Sequence, residues 1–206
     1  MNLPELLDSG LNALQIVLTA QQKSALLNYL ALLSKWNKTY NLTAIHEPER
    51  MLTHHILDSL ALAPYVQAGA LLDVGSGAGF PGIPLAIVRP DLPVTVMDAS
   101  QKKCGFMQQA VIELKLGNVS VVHGRVEAYQ ALQTFMQIVS RAFSDLSEFV
   151  RLSAHLLAPG GVWLAMKGVH PLSEIDQLKA ARVVRVLSLQ VPGLNAERSL
   201  VVMEPV

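Results

Sequence analysis

The chain has 206 residues, 51% hydrophobic and 16% charged, with sixteen Lys and Arg against sixteen Asp and Glu. That composition excludes a disordered chain, and the balanced charge excludes nucleic-acid binding through global charge, so such a partner has to be held by a local patch. A single cysteine, Cys104, excludes an internal disulfide; no apolar run approaches the ~18 residues that span a bilayer, and the N-terminus lacks a signal-peptide pattern, so the expectation is a soluble, cytoplasmic protein.

Residues 1–66 read as a small helical subdomain. Thr19 followed by Gln22 is a capping box, and Leu26, Leu30 and Leu33 follow at helical spacing. This helix is expected to end near Trp36 and Asn37, before a polar turn over residues 38–41. A second helix is expected from Pro48, with Met51, Leu52, Ile56 and Leu60 on its buried face. After Gly69 the rhythm changes to strand, loop, helix. Short apolar runs at 70–74, 94–97, 119–122, 136–140 and 162–166 read as five strands, the last entered through a turn at Pro159, Gly160 and Gly161. Cys104, Met107, Val111 and Leu114 mark a helix between the second and third. The alternation predicts a doubly wound α/β domain over 67–206, its mostly parallel sheet covered on both faces. No helix fits between 183–189 and 200–203, so these should form an antiparallel hairpin around Val191, Pro192, Gly193 and Leu194.

The strongest local signal is Leu72–Asp73–Val74–Gly75–Ser76–Gly77–Ala78–Gly79–Phe80–Pro81–Gly82, between a predicted strand and a predicted helix. A dinucleotide loop has G-x-G-x-x-G spacing and faces a pyrophosphate. Here the spacing is G-x-G-x-G, followed by Phe80. Asp73 precedes the loop; an acid there suits the ammonium of S-adenosylmethionine and repels a diphosphate. Its alternative role is a buried strand-end residue that caps its own loop. Asp98, at the end of the second strand, is placed to accept hydrogen bonds from ribose hydroxyls, in an adenosyl ligand or in NAD.

These residues, with others, carry a resemblance. Tyr40 to Ile45, His55 to Leu60, Leu72 to Leu85, Gly124 to Glu127, Ser140–Arg141–Ala142, Lys167–Gly168 and Glu197 to Val202 resemble the bacterial small-subunit ribosomal RNA methyltransferase G family, also called glucose-inhibited division protein B. The resemblance implies a class I S-adenosylmethionine-dependent methyltransferase fold, Rossmann-like, with a mostly parallel seven-stranded sheet that ends in an antiparallel hairpin. It also implies methylation of a guanine N7 in 16S ribosomal RNA, at guanosine 527 in the usual rRNA numbering. Gly75, Gly77, Phe80 and Asp98 would then hold the cofactor, Val126 and Glu127 would flank its adenine, and Arg141 would sit where cofactor and substrate meet. One departure from the family is Ala99 between Asp98 and Ser100, where Ser often follows the acid directly.

The chemistry agrees. Guanine N7 carries a free lone pair, so no general base is required, and alignment supplies most of the catalysis. No N-P-P-Y-like tetrapeptide is present, and Cys104 reads as a core thiol. The product base is cationic, so Arg125, Arg141 and Lys167, each after a predicted strand, make better phosphate holders than ring contacts. Lys102 and Lys103 either extend this rim or are solvated charges. His54 and Asp58, at i,i+4, lack an evident third ligand and are expected to form no metal site; His55 and Asp58 are expected to make a structural hydrogen bond between subdomains. Trp36 and Tyr40 are expected to close a helical core; Asn41 is a helix cap or a substrate contact. The expected partner is 16S ribosomal RNA or the small ribosomal subunit, with the protein a monomer that acts on a shaped RNA. A methyltransferase for another RNA, a small molecule or a protein is the alternative. An NAD-dependent dehydrogenase would need G-x-G-x-x-G spacing and usually a separate catalytic domain, and the sequence offers neither.

Overall fold

Two helices open on the same reciprocal device. Asn2 accepts from the Glu5 N–H while the Glu5 carboxylate accepts from the Asn2 N–H, starting α1 (Leu3–Ala13). Thr19 and Gln22 do the same for α2 (Ala20–Tyr40), as their spacing predicts. The computed structural model from which these elements are taken describes residues 1–141, 143, 145–168 and 171–206; Ala142 of the quoted motif lies outside them.

Sequence reading identified no separate α1, and it ended α2 too early. The polar residues after Asn37 continue the helix for another turn. Tyr40 lies one turn beyond Trp36, with ring centroids 5.0 Å apart, and Lys102 donates to the Tyr40 carbonyl at 2.8 Å. Asn41, at φ 48°, is the left-handed residue that stops it. The helix expected from Pro48 is continuous: α3 (Pro48–Met51) passes through a π-helical stretch, Leu52–Leu57, into α4 (Asp58–Leu60). Met51, Leu52, Ile56 and Leu60 are buried, as predicted.

Among the described residues seven strands follow: β1 (Leu71–Val74), β2 (Val94–Asp98), β3 (Val119–His123), β4 (Phe135–Ser140), β5 (Leu157–Lys167), β6 (Ala181–Ser188) and β7 (Ser199–Pro205). Their order is β3-β2-β1-β4-β5-β7-β6. The first five are parallel; β7 runs antiparallel between β5 and β6. The last pair is the predicted hairpin. The strand expected to start after the Pro159–Gly160–Gly161 turn instead begins at Leu157. Phe135 pairs with Leu157 and Gln137 with Val162, so the turn is an outsized bulge inside a longer strand.

Helices α5 (Gly82–Val88) and α6 (Gln101–Glu113) join α1 to α4 on one face of the sheet; α7 (Leu146–Ser153) and α8 (Leu172–Gln177) lie on the other. Strand alternation assigns the faces. Leu71, Val94 and Val96 pack with Tyr29, Phe80 and Phe106, whereas Leu72, Met97 and Ile138 pack with Phe149 and Trp163. Helix α5 presses close because Gly82 has no side chain; a Cβ there would lie 2.6 Å from Val96 Cγ1. Trp163 is 2% exposed, and its Nε1 donates to Ser153 Oγ at 3.0 Å. Trp163→Ala is expected to cost about 3–5 kcal/mol by urea unfolding, through a cavity and the loss of the hydrogen bond to Ser153 Oγ, which keeps its bond to the Phe149 carbonyl. No helix among the described residues is long and apolar enough to cross a membrane.

Candidate active site

The loop after β1 is tied down from three sides. Ser76 donates its N–H to the Met97 carbonyl at 2.9 Å, and its Oγ donates to the Asp73 carbonyl at 2.8 Å while accepting the Met97 N–H at 3.0 Å. Gly77 N–H donates to Asp98 Oδ2 at 2.9 Å. From above, the buried Tyr29 hydroxyl of α2 donates to the Ala78 carbonyl. Gly77, at φ +64°, faces open space: a Cβ there would meet nothing within 4 Å.

The loop forms the floor of a cavity of about 500 Å³, through Gly75, Ser76, Gly77, Ala78 and Phe80. Arg141 after β4, and Met166, Lys167 and Gly168 at the end of β5, form one side. Leu42, Thr43 and Ile45, with His54, His55 and Asp58, form the other, and Arg198 closes the rim. The volume is within the ~300–1,000 Å³ typical of small-molecule sites, and the carboxyl ends of parallel strands are where such folds bind ligands. Asn37 organises the far wall. It is 1% exposed, accepts the Thr43 N–H at 2.9 Å and donates to the Ile45 carbonyl at 3.2 Å.

Five sequence-predicted site residues therefore meet: Gly75, Gly77, Phe80, Arg141 and Lys167. Asp98 lies just beneath the loop, 8% exposed, its Oδ1 accepting from Ser100 N–H at 2.8 Å and its Oδ2 3.8 Å from Lys103 Nζ. Each oxygen retains a lone pair for a further donor. Arg125, Val126 and Glu127 do not line the cavity: Val126 is buried against the opposite face of the sheet, and Arg125 and Glu127 are exposed on the turn after β3. Lys102, which caps α2, is not part of the rim, and Cys104 is a buried thiol whose Sγ lies 3.2 Å from the Asp98 carbonyl.

Asp73 requires a correction. It is fully buried, does not line the cavity, and its Oδ2 accepts the Gly82 N–H at 2.8 Å, so it caps its own loop. Strand alternation is the reason, because Asp73 shares the face of Leu71, toward α5.

Arg141 and Lys167 are not bare cations. Arg141 Nη1 donates to Asp58 Oδ2 at 2.8 Å, and its guanidinium carbon sits 5.4 Å from the Phe80 centroid. Lys167 Nζ lies 2.7 Å from Glu174 Oε2 and donates to the Phe143 carbonyl at 3.0 Å. Asp58 makes the expected link between the N-terminal helices and the sheet. His55 instead bonds within the N-terminal segment, its Nε2 2.9 Å from Thr43 Oγ1, and stacks on Phe80 with centroids 4.8 Å apart. Sequence reading missed Met166 as a lining residue, and noted Leu42, Thr43, Ile45 and Arg198 only within resembling motifs. Among the described residues, no group of three or more His, Cys, Asp or Glu is placed to hold a metal ion.

Two buried groups titrate in opposite senses. Burial, helped by the Arg141 charge, pushes the His55 imidazole down from 6.5 to about 4. Burial pushes the Asp73 carboxyl up from 3.8 to about 7, against the Gly82 hydrogen bond and Arg141. Unfolded His55 takes up a proton at higher pH than folded His55, so its contribution to stability is complete above 6.5 and is lost as pH falls through about 4. Folded Asp73 keeps its proton longer than the unfolded chain does, so its contribution is complete below 3.8 and is lost as pH rises through about 7. On acidification from about pH 7.5 to about pH 4.5, His55→Gln should lose less melting temperature than the unsubstituted protein, and Asp73→Asn should lose more.

A family model described as rRNA small subunit methyltransferase G matches residues 22–201. Ribosomal RNA small subunit methyltransferase G of Laribacter hongkongensis is 56% identical over 202 residues, 98% of each chain. That of Chromobacterium violaceum is 56% identical over 199 residues, 96% of this chain and 95% of the other. Among solved structures, a SAM-dependent methyltransferase from Aquifex aeolicus matches with a TM-score of 0.58 at 18% identity, over 76% of this chain and 93% of that one. Another from Geobacter sulfurreducens, in complex with S-adenosyl-L-homocysteine, matches with a TM-score of 0.56 at 15% identity, over 85% and 98%. The solved structures match the class I, Rossmann-like fold, and the sequence relatives match across nearly the whole length: the chain belongs to the rRNA small subunit methyltransferase G family.

Proposed function

We propose that the protein transfers the methyl group of S-adenosylmethionine to N7 of a guanine in 16S ribosomal RNA, with guanosine 527 as the position. The observation that carries this reading is the cavity where the glycine loop, Phe80 and Arg141 meet under a wall from the N-terminal helices. In this reading residues 1–66 are a helical subdomain that supplies that wall, and 67–206 are the methyltransferase domain. The enzyme works as a cytoplasmic monomer.

The residues fit the cofactor. The open face of Gly77 accommodates its amino-acid end, the free lone pairs of Asp98 suit two ribose hydroxyls, and Val126 and Glu127 stand on the turn beside β2 where an adenine would lie. When bound, S-adenosylmethionine supplies an electrophilic methyl group on a sulfonium sulfur. The chain's own residues align the base and exclude water, since N7 needs no proton removed. His55, neutral near pH 7, adds no charge against the cationic product. Arg141 and Lys167 hold substrate phosphates at the cavity, and Arg125 does so further along the sheet edge.

Transfer of tritium from labelled S-adenosylmethionine tests the reading. Small subunits, deproteinised 16S RNA and an unrelated hairpin are compared, and the labelled base is mapped. Label on a guanine N7 of the small-subunit RNA is expected; equal labelling of the hairpin, or none of any RNA, would refute it.

A further inference from the structure

Asp58 meets a different arginine with each carboxylate oxygen. Its Oδ2 accepts from Arg141 Nη1 at 2.8 Å and its Oδ1 from Arg198 Nε at 2.9 Å, with the carboxylate side chain 3% exposed. The three residues come from the start of α4, the position after β4 and the position before β7. One buried carboxylate needs one cation; the second leaves the cluster with a net charge of +1. Lys167, also on the cavity wall, is compensated by Glu174 at 2.7 Å, so the excess positive charge of the lining is that of the arginine pair.

Neither arginine is used up. Beyond Asp58, Arg141 gives Nη1 to the His54 carbonyl at 3.4 Å, and Arg198 gives Nη1 to the Glu197 carbonyl at 2.9 Å. Nε and Nη2 of Arg141 and Nη2 of Arg198 have no partner among the described residues, and the two side chains are 23% and 25% exposed at the cavity. Two guanidinium groups this close repel each other; the carboxylate between them offsets the repulsion and sets their relative orientation.

We propose that Asp58 is a positioning residue, holding Arg141 and Arg198 as a two-arginine seat for a phosphodiester of the RNA substrate. This rests on the RNA methyltransferase reading above. Asp58 touches no substrate and acts through the arginines. The seat recognises an oxyanion with oxygens in fixed array. The cofactor carboxylate is the other source of such a group, and separate measurements distinguish the two.

Asp58→Asn, Asp58→Glu, Arg198→Ala and the Asp58→Asn/Arg198→Ala pair are assayed on intact small subunits, with S-adenosylhomocysteine affinity measured by calorimetry. Asp58→Asn is expected to raise KM for subunits about tenfold or more while changing kcat by less than about threefold. The slope of log KM against log salt should fall by roughly one, the signature of a lost phosphate contact. Arg198→Ala should show the same defect, the pair should be no worse than either single change by more than about twofold, and Asp58→Glu should recover part of the loss. S-adenosylhomocysteine affinity should stay within about twofold. An equal loss of that affinity would overturn the phosphate assignment in favour of the cofactor carboxylate. Unchanged KM and salt slope in Asp58→Asn and Arg198→Ala would overturn the seat altogether, even if melting temperature fell. Unsubstituted protein is the control: if it fails to label subunits the enzyme reading falls, and filter retention of 16S RNA then decides the seat without turnover, weaker retention with a shallower salt slope in Asp58→Asn and Arg198→Ala supporting it and unchanged retention overturning it.

Discussion

Gly77→Val is expected to weaken binding of S-adenosylhomocysteine by at least about 100-fold while leaving the protein folded. Gly77 sits at φ +64° with open cavity where a Cβ would be. A valine pays about 1–2 kcal/mol for that left-handed conformation and points its branched side chain into the space the ligand needs. The loop itself stays tied by Ser76 to Met97 and by Tyr29 to Ala78, neither of which involves the new side chain. Calorimetry should therefore show at least about a 100-fold weaker Kd, some 2.7 kcal/mol, with a melting temperature lower by about 2–8 °C. Unsubstituted protein should bind S-adenosylhomocysteine and not NADH. Wild-type affinity in Gly77→Val would mean that the ligand does not cross the loop.

Arg141→Ala should lower kcat/KM on small subunits by about 100-fold or more, equivalent to about 2.7 kcal/mol in transition-state stabilisation. The side chain joins three parts of the site: it donates to Asp58 and to the His54 carbonyl and lies over the Phe80 ring. Its removal leaves Asp58 with Arg198 alone and takes a cation from the junction of cofactor loop and far wall. Arg141→Lys keeps the charge but loses the planar fork, so an intermediate defect is expected. Single-turnover kinetics with saturating cofactor, beside thermal melting, separates lost chemistry from lost fold. An alanine variant within about threefold of the unsubstituted rate would remove Arg141 from the site.

The fold was largely legible because its signals are local. Periods of two and 3.6, the Thr19–Gln22 box, the glycine loop and the helix-free link before the last strand each depend on neighbours in sequence. The equivalent Asn2–Glu5 box is just as local and went unread. The end of α2 was harder, since it depends on Trp36 against Tyr40 and on Lys102, which lies 62 residues beyond the carbonyl it bonds.

The glycine loop, Phe80, Arg141 and Lys167 could be placed at one edge from the sequence because strand ends in a parallel sheet share an edge. The way their charges are compensated could not. Asp58 lies 83 residues from Arg141 and 140 from Arg198, and no spacing rule encodes contacts that distant. Arg198 reaches the cavity because β7 is inserted antiparallel beside β5, pairing Ser199 with Lys167, so that the start of one strand lies at the end of the other. Local pattern thus determined which elements form and where the loop lies; strand order and the burial of Asp58 decided which charges meet, because electrostatics acts through space and burial is a property of the packed whole.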